Sequence, residues 1–212
     1  MRPLAAAATR RLIAGFARAV TGVSADWRGC RPEPRQRVYF ANHASHGDFV
    51  LIWTVLPPEL RRVTRPVAAA EIWDGRGIGG FIGREVFRAV PIDRKGVDRL
   101  NAAMAAMSAA LDEGASLILF PEGTRNTGEE PLLPLRSGLF HLAMAFPQID
   151  FVPVWIDNIS RVMPKGEFLP IPLLCSVTFG EPLAVDRTEE RAAFLDRARG
   201  ALLALKPKDL VA

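Results

Sequence analysis

The chain has 212 residues, 49% of them hydrophobic and 24% charged, with a formal net charge of +4 and a pI near 9.6. This is enough chain for one domain with a substantial core, and no shift in composition marks a linker between two. The basic balance, 23 arginines and 4 lysines, suits work on phosphate-bearing molecules at an anionic surface, and no nucleic-acid motif or aromatic-basic ladder accompanies it. Cys30 and Cys175 give neither metal spacing nor a disulfide framework, so a reducing location is the default.

Arg2, Arg10, Arg11 and Arg18 alternate with Leu4, Leu12, Ile13, Phe16 and Val20 at helical spacing. The segment is too short and too charged to span a bilayer. A basic amphipathic helix in the headgroup region, a helix packed on the protein's own core and an arginine-rich transit peptide all remain open.

Arg37–Ala41 reads as a short buried strand, and Gly47-Asp48 followed by Phe49 to Trp53 reads as the opening of a helix. Between them lie Asn42, His43, Ala44, Ser45 and His46. On a continuous helix, His43 and Asp48 would sit roughly 140° apart around the axis and could not meet. With His43 on the turn before the helix, Asp48 in the first helical turn can fold back onto one imidazole nitrogen, fix the tautomer and support an imidazolium. The pair is a base with an orienting carboxylate and no nucleophile of its own. Ser45 is the local candidate nucleophile, with turn or N-cap chemistry as its alternative role, and no G-x-S-x-G elbow occurs in the chain. His43, His46 and Asp48 together also raise metal binding, without a further ligand at zinc-like spacing, so no metal is expected.

Further strands are expected at Pro66–Ala70, Arg84–Val90, Ser116–Phe120, Phe151–Asp157 and Leu174–Gly180, and helices at Val97–Leu111, Ser137–Phe146 and Arg187–Leu205. Leu100, Met104, Met107 and Leu111 form a core stripe, and Phe194, Leu195, Ala198, Leu202 and Leu205 form the apolar face of the closing helix. The order is that of an α/β domain with a mixed central sheet flanked by helices, preceded by the amphipathic N-terminal segment. Gly75, Gly77 and Gly80 make a G-x-G-x-x-G match that does not directly follow a clear strand, which favours a flexible, close-packed segment over a dinucleotide site. Trp53, Trp73 and Phe81 are candidate walls of a substrate tunnel, with core packing as the alternative. The proline-rich stretch 164–172 could line the substrate or touch a membrane.

After the apolar run Ala115–Phe120 the chain turns sharply at Pro121 and Gly123, exposing backbone amides. Arg125 adds a planar fork for phosphate oxygens, and Glu122 could accept from an acceptor hydroxyl or hold that arginine. A surface turn with a salt bridge is the plain alternative.

Taken together, these residues resemble the lysophosphatidic acid acyltransferases and their relatives among glycerophospholipid acyltransferases, over about Val38 to Leu183. His43 and Asp48 fit that family's N-H-x-x-x-x-D motif, Phe120–Arg125 fits F-P-E-G-T-R without a substitution, Val90–Arg94 looks like its second block and Phe151–Val154 like its fourth. The resemblance implies His43 as general base with Asp48 its partner, and Arg94, Glu122, Gly123, Thr124 and Arg125 as acceptor-binding residues. It divides the chain into a membrane-associating segment over 1–30 and an acyltransferase domain over 31–212. It implies a lysophospholipid acceptor, lysophosphatidic acid foremost with another lysolipid or an acyl-amino-acid lipid precursor as the alternative, and a thioester donor (acyl-CoA or acyl-carrier protein) as co-substrate with no cofactor. A non-catalytic membrane-binding module and an acyl-ester hydrolase are the competing readings. The basic N-terminal segment with the reducing default leads us to expect a peripheral place on the cytoplasmic face of the inner membrane.

Overall fold

A computed structural model of the chain describes residues 2–73, 77–93, 99–157 and 174–207. In order these form α1 (Arg2–Thr21), β1 (Ser24–Trp27), β2 (Arg37–Ala41), α2 (Asp48–Val55), α3 (Pro58–Val63), β3 (Thr64–Ala69), α4 (Ala70–Trp73) and α5 (Ile78–Phe81). A π-helical segment (Ile82–Phe87), β4 (Val90–Ile92), α6 (Arg99–Asp112), β5 (Ser116–Leu119), α7 (Gly138–Ala145), β6 (Asp150–Asp157), β7 (Ser176–Phe179) and α8 (Arg191–Leu205) follow.

The strands make one seven-stranded sheet in the order β1-β7-β6-β2-β5-β3-β4. β2 to β6 run parallel, joined by helical crossovers, while β7 is antiparallel to β6 and carries β1 parallel to itself. The sheet is mixed, as the sequence led us to expect.

Because strand side chains alternate, each central strand feeds two cores. Tyr39 and Ala41 of β2, Ile118 of β5 and Val152, Val154 and Ile156 of β6 pack on one face with Leu51, Ile52 and Trp53 of α2. Val38, Phe40, Leu117, Phe151 and Trp155 pack on the other with Met107 and Leu111 of α6, Leu142 of α7 and Phe194, Ala198 and Leu202 of α8. Burial on both faces explains why these strands read as continuous apolar runs. The α6 stripe is core at Met107 and Leu111, whereas Leu100, the second residue of the helix, is exposed.

The strand expected at Arg84–Val90 is a correction. Its first part is the π-helical segment, which ends with Arg88 in the left-handed region at φ 51°, and only Val90–Ile92 pairs with β3. Val86 and Phe87 are buried because the extra residue per turn aims both at the α2 face, where Phe87 meets Phe49 and Trp53 edge-on. β1, four residues inside the N-terminal segment, was not expected, and it is held by pairing with β7 and by Trp27 stacking on Phe179 at 3.8 Å.

α1 lies on the domain with small residues inward: Ala6, Ala14 and Ala17 are buried, Arg10 donates to the carbonyls of Glu85 and Val86, and Arg18 donates to that of Thr54. Leu4, Leu12 and Phe16 point outward, at 78%, 73% and 68% exposure. No helix among the described residues is long and apolar enough to cross a membrane. At the C-terminus of α2, Arg61 donates to the carbonyls of Trp53, Thr54 and Leu56, satisfying groups a helix end leaves open and fixing the helix that begins with Asp48.

Candidate active site

In an open parallel sheet, side chains beyond the carboxyl ends of the strands converge on a crevice. β2 and β5 are neighbours with Phe40 opposite Leu119, so His43 and Glu122, each three residues further on, emerge side by side. Asn42 secures the exit from β2. Its amide is buried and makes two hydrogen bonds to Ile156 of β6, donating to the carbonyl at 3.0 Å and accepting from the N–H at 2.8 Å.

His43 and Asp48 meet as the spacing argument required: Nδ1 lies 2.8 Å from Asp48 Oδ2. The same oxygen accepts from the backbone N–H groups of Ala44 at 2.7 Å and Ser45 at 2.9 Å. An acceptor-only carboxylate there requires a proton on Nδ1, which leaves Nε2 as the basic nitrogen. Asp48 is fully buried, and among the described residues its Oδ1 has no hydrogen-bond partner. The imidazole stacks on Phe120 at 4.2 Å, which sets the ring plane. Ser45 Oγ accepts from Gly47 N–H, so its role is that of a turn and not of an N-cap, the N-cap position being Gly47.

Glu122 differs from expectation. Its carboxylate is buried, with Oε1 accepting from His43 N–H at 2.7 Å and Oε2 from Leu133 N–H at 2.8 Å. Both oxygens are therefore committed to the chain itself and do not hold Arg125. Burial pushes this carboxyl above its usual range, and the two amide donors pull it part of the way back. The turn after Glu122 is set by Gly123 at φ 72°, and a side chain there would overlap Nε and Cδ of Arg136. Arg136, which the sequence did not single out, donates through its backbone to the Pro121 carbonyl and through Nε to that of Glu122. Gly123→Ala is accordingly expected to cost about 1–2 kcal/mol for the left-handed conformation alone, with more for displacing Arg136. A fall in melting temperature and in kcat together would show it.

Thr124 and Arg125 are exposed at the edge of a cleft of about 540 Å³. Its floor and walls are Phe49, Val67, Ala68, Ala69, Ile92, Leu119 and Phe120, with His43 and His46 alongside. Trp53 is not a wall of this cleft: it is buried in the core, where its indole N–H donates to Arg61 O, and Phe81 packs against the same core. Phe49, one residue after Asp48, supplies the aromatic wall instead. Arg94, Gly75 and the 164–172 stretch lie outside the described residues, and nothing is described of the Trp73 side chain. Among the described residues no group of three or more His, Cys, Asp or Glu converges as metal ligands. Cys30 is half-buried and Cys175 buried, both free thiols, with burial pushing Cys175 up to about 11.

Known proteins resemble this chain in sequence and in fold. A 1-acyl-sn-glycerol-3-phosphate acyltransferase of Limnanthes alba is 26% identical over 182 residues, covering 82% of this chain and 60% of that protein. The enzymes of the same name from Cocos nucifera and Haemophilus influenzae are each 29% identical, covering 72% and 55% of this chain and 47% and 46% of their own lengths. The chain thus spans about half to three-fifths of these relatives. The crystal structure of the 1-acyl-sn-glycerophosphate (LPA) acyltransferase PlsC from Thermotoga maritima superposes with a TM-score of 0.67 at 21% identity, over 99% of this chain and 85% of that one, and shares the fold. The Acyltransferase family matches residues 30–157, a span that encloses both the His43–Asp48 pair and the Phe120–Arg125 turn, and the chain belongs to that family.

Proposed function

We propose that the protein transfers a fatty acyl group from a thioester donor to the free hydroxyl of a lysophospholipid, lysophosphatidic acid above all, giving phosphatidic acid. One observation carries the reading: a His43 imidazole oriented by a buried carboxylate opens onto a cleft that is apolar along β3, β4 and β5 and cationic at Arg125. The apolar walls suit an acyl chain, and the guanidinium suits a phosphate. His43 Nε2 takes the proton of the acceptor hydroxyl as that oxygen attacks the thioester carbonyl. The C–S bond breaks, and the imidazolium returns the proton to the departing thiolate. Asp48 holds the tautomer and balances the imidazolium charge. The names of the relatives support the same acceptor. Arg94 belongs to this proposal as a second phosphate ligand on the strength of the motif resemblance, and acyl-CoA and acyl-carrier protein are the donors proposed.

We place the enzyme at the cytoplasmic face of the inner membrane as a peripheral protein. The outward stripe of Leu4, Leu12 and Phe16, with the exposed Arg11 on the same helix, supports that placement, as does exposed Ile78 on α5, which runs into the π-helical segment that α1 packs on.

The test is acyl transfer by purified protein to lysolipids with and without the phosphate, acyl-CoA and acyl-carrier protein supplied in parallel, wild type beside Arg125→Ala. Transfer to lysophosphatidic acid is expected, with KM for that acceptor raised about 10–100-fold in the variant, as losing charge-assisted hydrogen bonds requires. A preference for phosphate-free lysolipids would move the acceptor, and fatty acid release without any acceptor would make the protein a hydrolase.

A further inference from the structure

His43 borders a second cavity that the acceptor does not explain. It measures about 270 Å³ and is lined by Asn42, His43, Ala44, Glu122, Asn126, Thr127, Gly128, Glu130 and Pro131. Among the described residues the two cavities share His43 alone: one extends toward β3 and β4, the other toward the 126–131 loop. That loop is pinned to the catalytic turn, since Asn126 N–H donates to the His43 carbonyl at 2.6 Å. It is folded on itself, Asn126 Nδ2 donating to Glu130 O and Oδ1 accepting from Gly128 N–H.

We propose that the second cavity receives the amide-bearing thiol arm of the acyl donor and releases it as the free thiol, a reading that rests on the acyl transfer proposed above. Transfer between two substrates needs both to reach one base, and two cavities that both border His43 provide two approaches. Their chemistry differs in the sense required. The large cleft has apolar walls and Arg125, and takes the phosphate and the fatty chain. The small one has amide, hydroxyl, carboxylate and backbone groups and, among the described residues, no arginine or lysine, while Glu122 and Glu130 on its lining and Glu129 beside it repel a phosphate. A neutral, extended chain of amides fits such a lining, and its sulfur would end at His43, where the thiolate must collect its proton.

Gly128→Leu tests this without straining the backbone. A Cβ at Gly128 meets only Asn126 Oδ1, at an ordinary 3.6 Å, and the residue is not in the left-handed region. Gly128 is on the cavity lining, so a leucine there is expected to narrow the cavity from the loop side. With S-acyl-pantetheine as donor and lysophosphatidic acid as acceptor, the variant is expected to raise KM for the donor about tenfold and leave KM for the acceptor within about twofold. Thr127→Trp should act in the same direction. Pantetheine itself, titrated by calorimetry in the absence of acceptor, should bind wild type and lose binding in Gly128→Leu at unchanged melting temperature. A raised acceptor KM with the donor untouched would assign the cavity to the acceptor, and unchanged constants for both with unchanged pantetheine binding would leave it outside the reaction. Either result overturns the proposal while acyl transfer stands. Wild-type protein that transfers to no acceptor overturns the acyl-transfer reading itself.

Discussion

Asp48→Asn is expected to lower kcat by about 10²–10⁴-fold while leaving the fold and both KM values close to wild type. The substitution separates charge from geometry here because the two carboxylate oxygens have different surroundings. Oδ2 accepts from His43 Nδ1 and from the N–H groups of Ala44 and Ser45, whereas Oδ1 is buried without a partner among the described residues. An asparagine can keep its oxygen at the first position and turn its NH₂ toward the second, where a buried donor without a partner among the described residues lowers the melting temperature by the equivalent of about 1–3 kcal/mol. The loop and the ring orientation are then retained, and what disappears is the negative charge that would balance the imidazolium. If the amide turns the other way, its NH₂ meets two backbone N–H groups and a ring N–H, an arrangement of donors only. The expected signature is therefore a loss in kcat. His43→Ala, measured beside it, should show at least as large a loss, because it removes the base itself. Turnover within a few-fold of wild type in either folded variant would remove His43 and Asp48 from the chemistry.

The His43–Asp48 contact was legible in the sequence because a five-residue spacing is incompatible with one continuous helix and compatible with a strand–turn–helix junction. The central strands were legible for a related reason. β2, β5 and β6 are buried on both faces, so Val38-Tyr39-Phe40, Leu117-Ile118 and Phe151 to Ile156 carry no polar interruption. β1 was not legible: Ser-Ala-Asp-Trp is short, half-exposed and held by tertiary pairing alone. The segment before β4 misled because Val86, Phe87 and Val90 look like strand residues, whereas a π-helical turn presents the first two to α2. The reversal at β7 is likewise a matter of topology that composition does not carry. Glu122 shows the same limit at the level of a single side chain. A glutamate after proline in a turn reads as a surface carboxylate facing substrate, and only the register of β2 against β5 reveals that it faces the backbone of His43.

That register makes Glu122→Gln the second large effect. A glutamine has one carbonyl oxygen for two buried N–H donors, so its NH₂ must face either His43 N–H or Leu133 N–H. An unpaired buried donor costs about 1–3 kcal/mol, and a donor facing a donor stands at the upper end. The expected result is a lower melting temperature together with a lower kcat, because one of the two groups released is the backbone of His43, the base proposed above. KM for lysophosphatidic acid should hold. This separates the two roles available to the residue: a carboxylate that binds acceptor would raise KM in the glutamine variant, because a charge-assisted hydrogen bond to the substrate hydroxyl becomes a neutral one, and would leave stability intact. Arg136 offers an internal check, because its Nε donates to the Glu122 backbone carbonyl and not to the carboxylate. Arg136→Ala should therefore loosen the turn around Gly123 with a smaller loss in kcat than Glu122→Gln. A glutamine variant with wild-type stability and a raised acceptor KM would return Glu122 to the substrate.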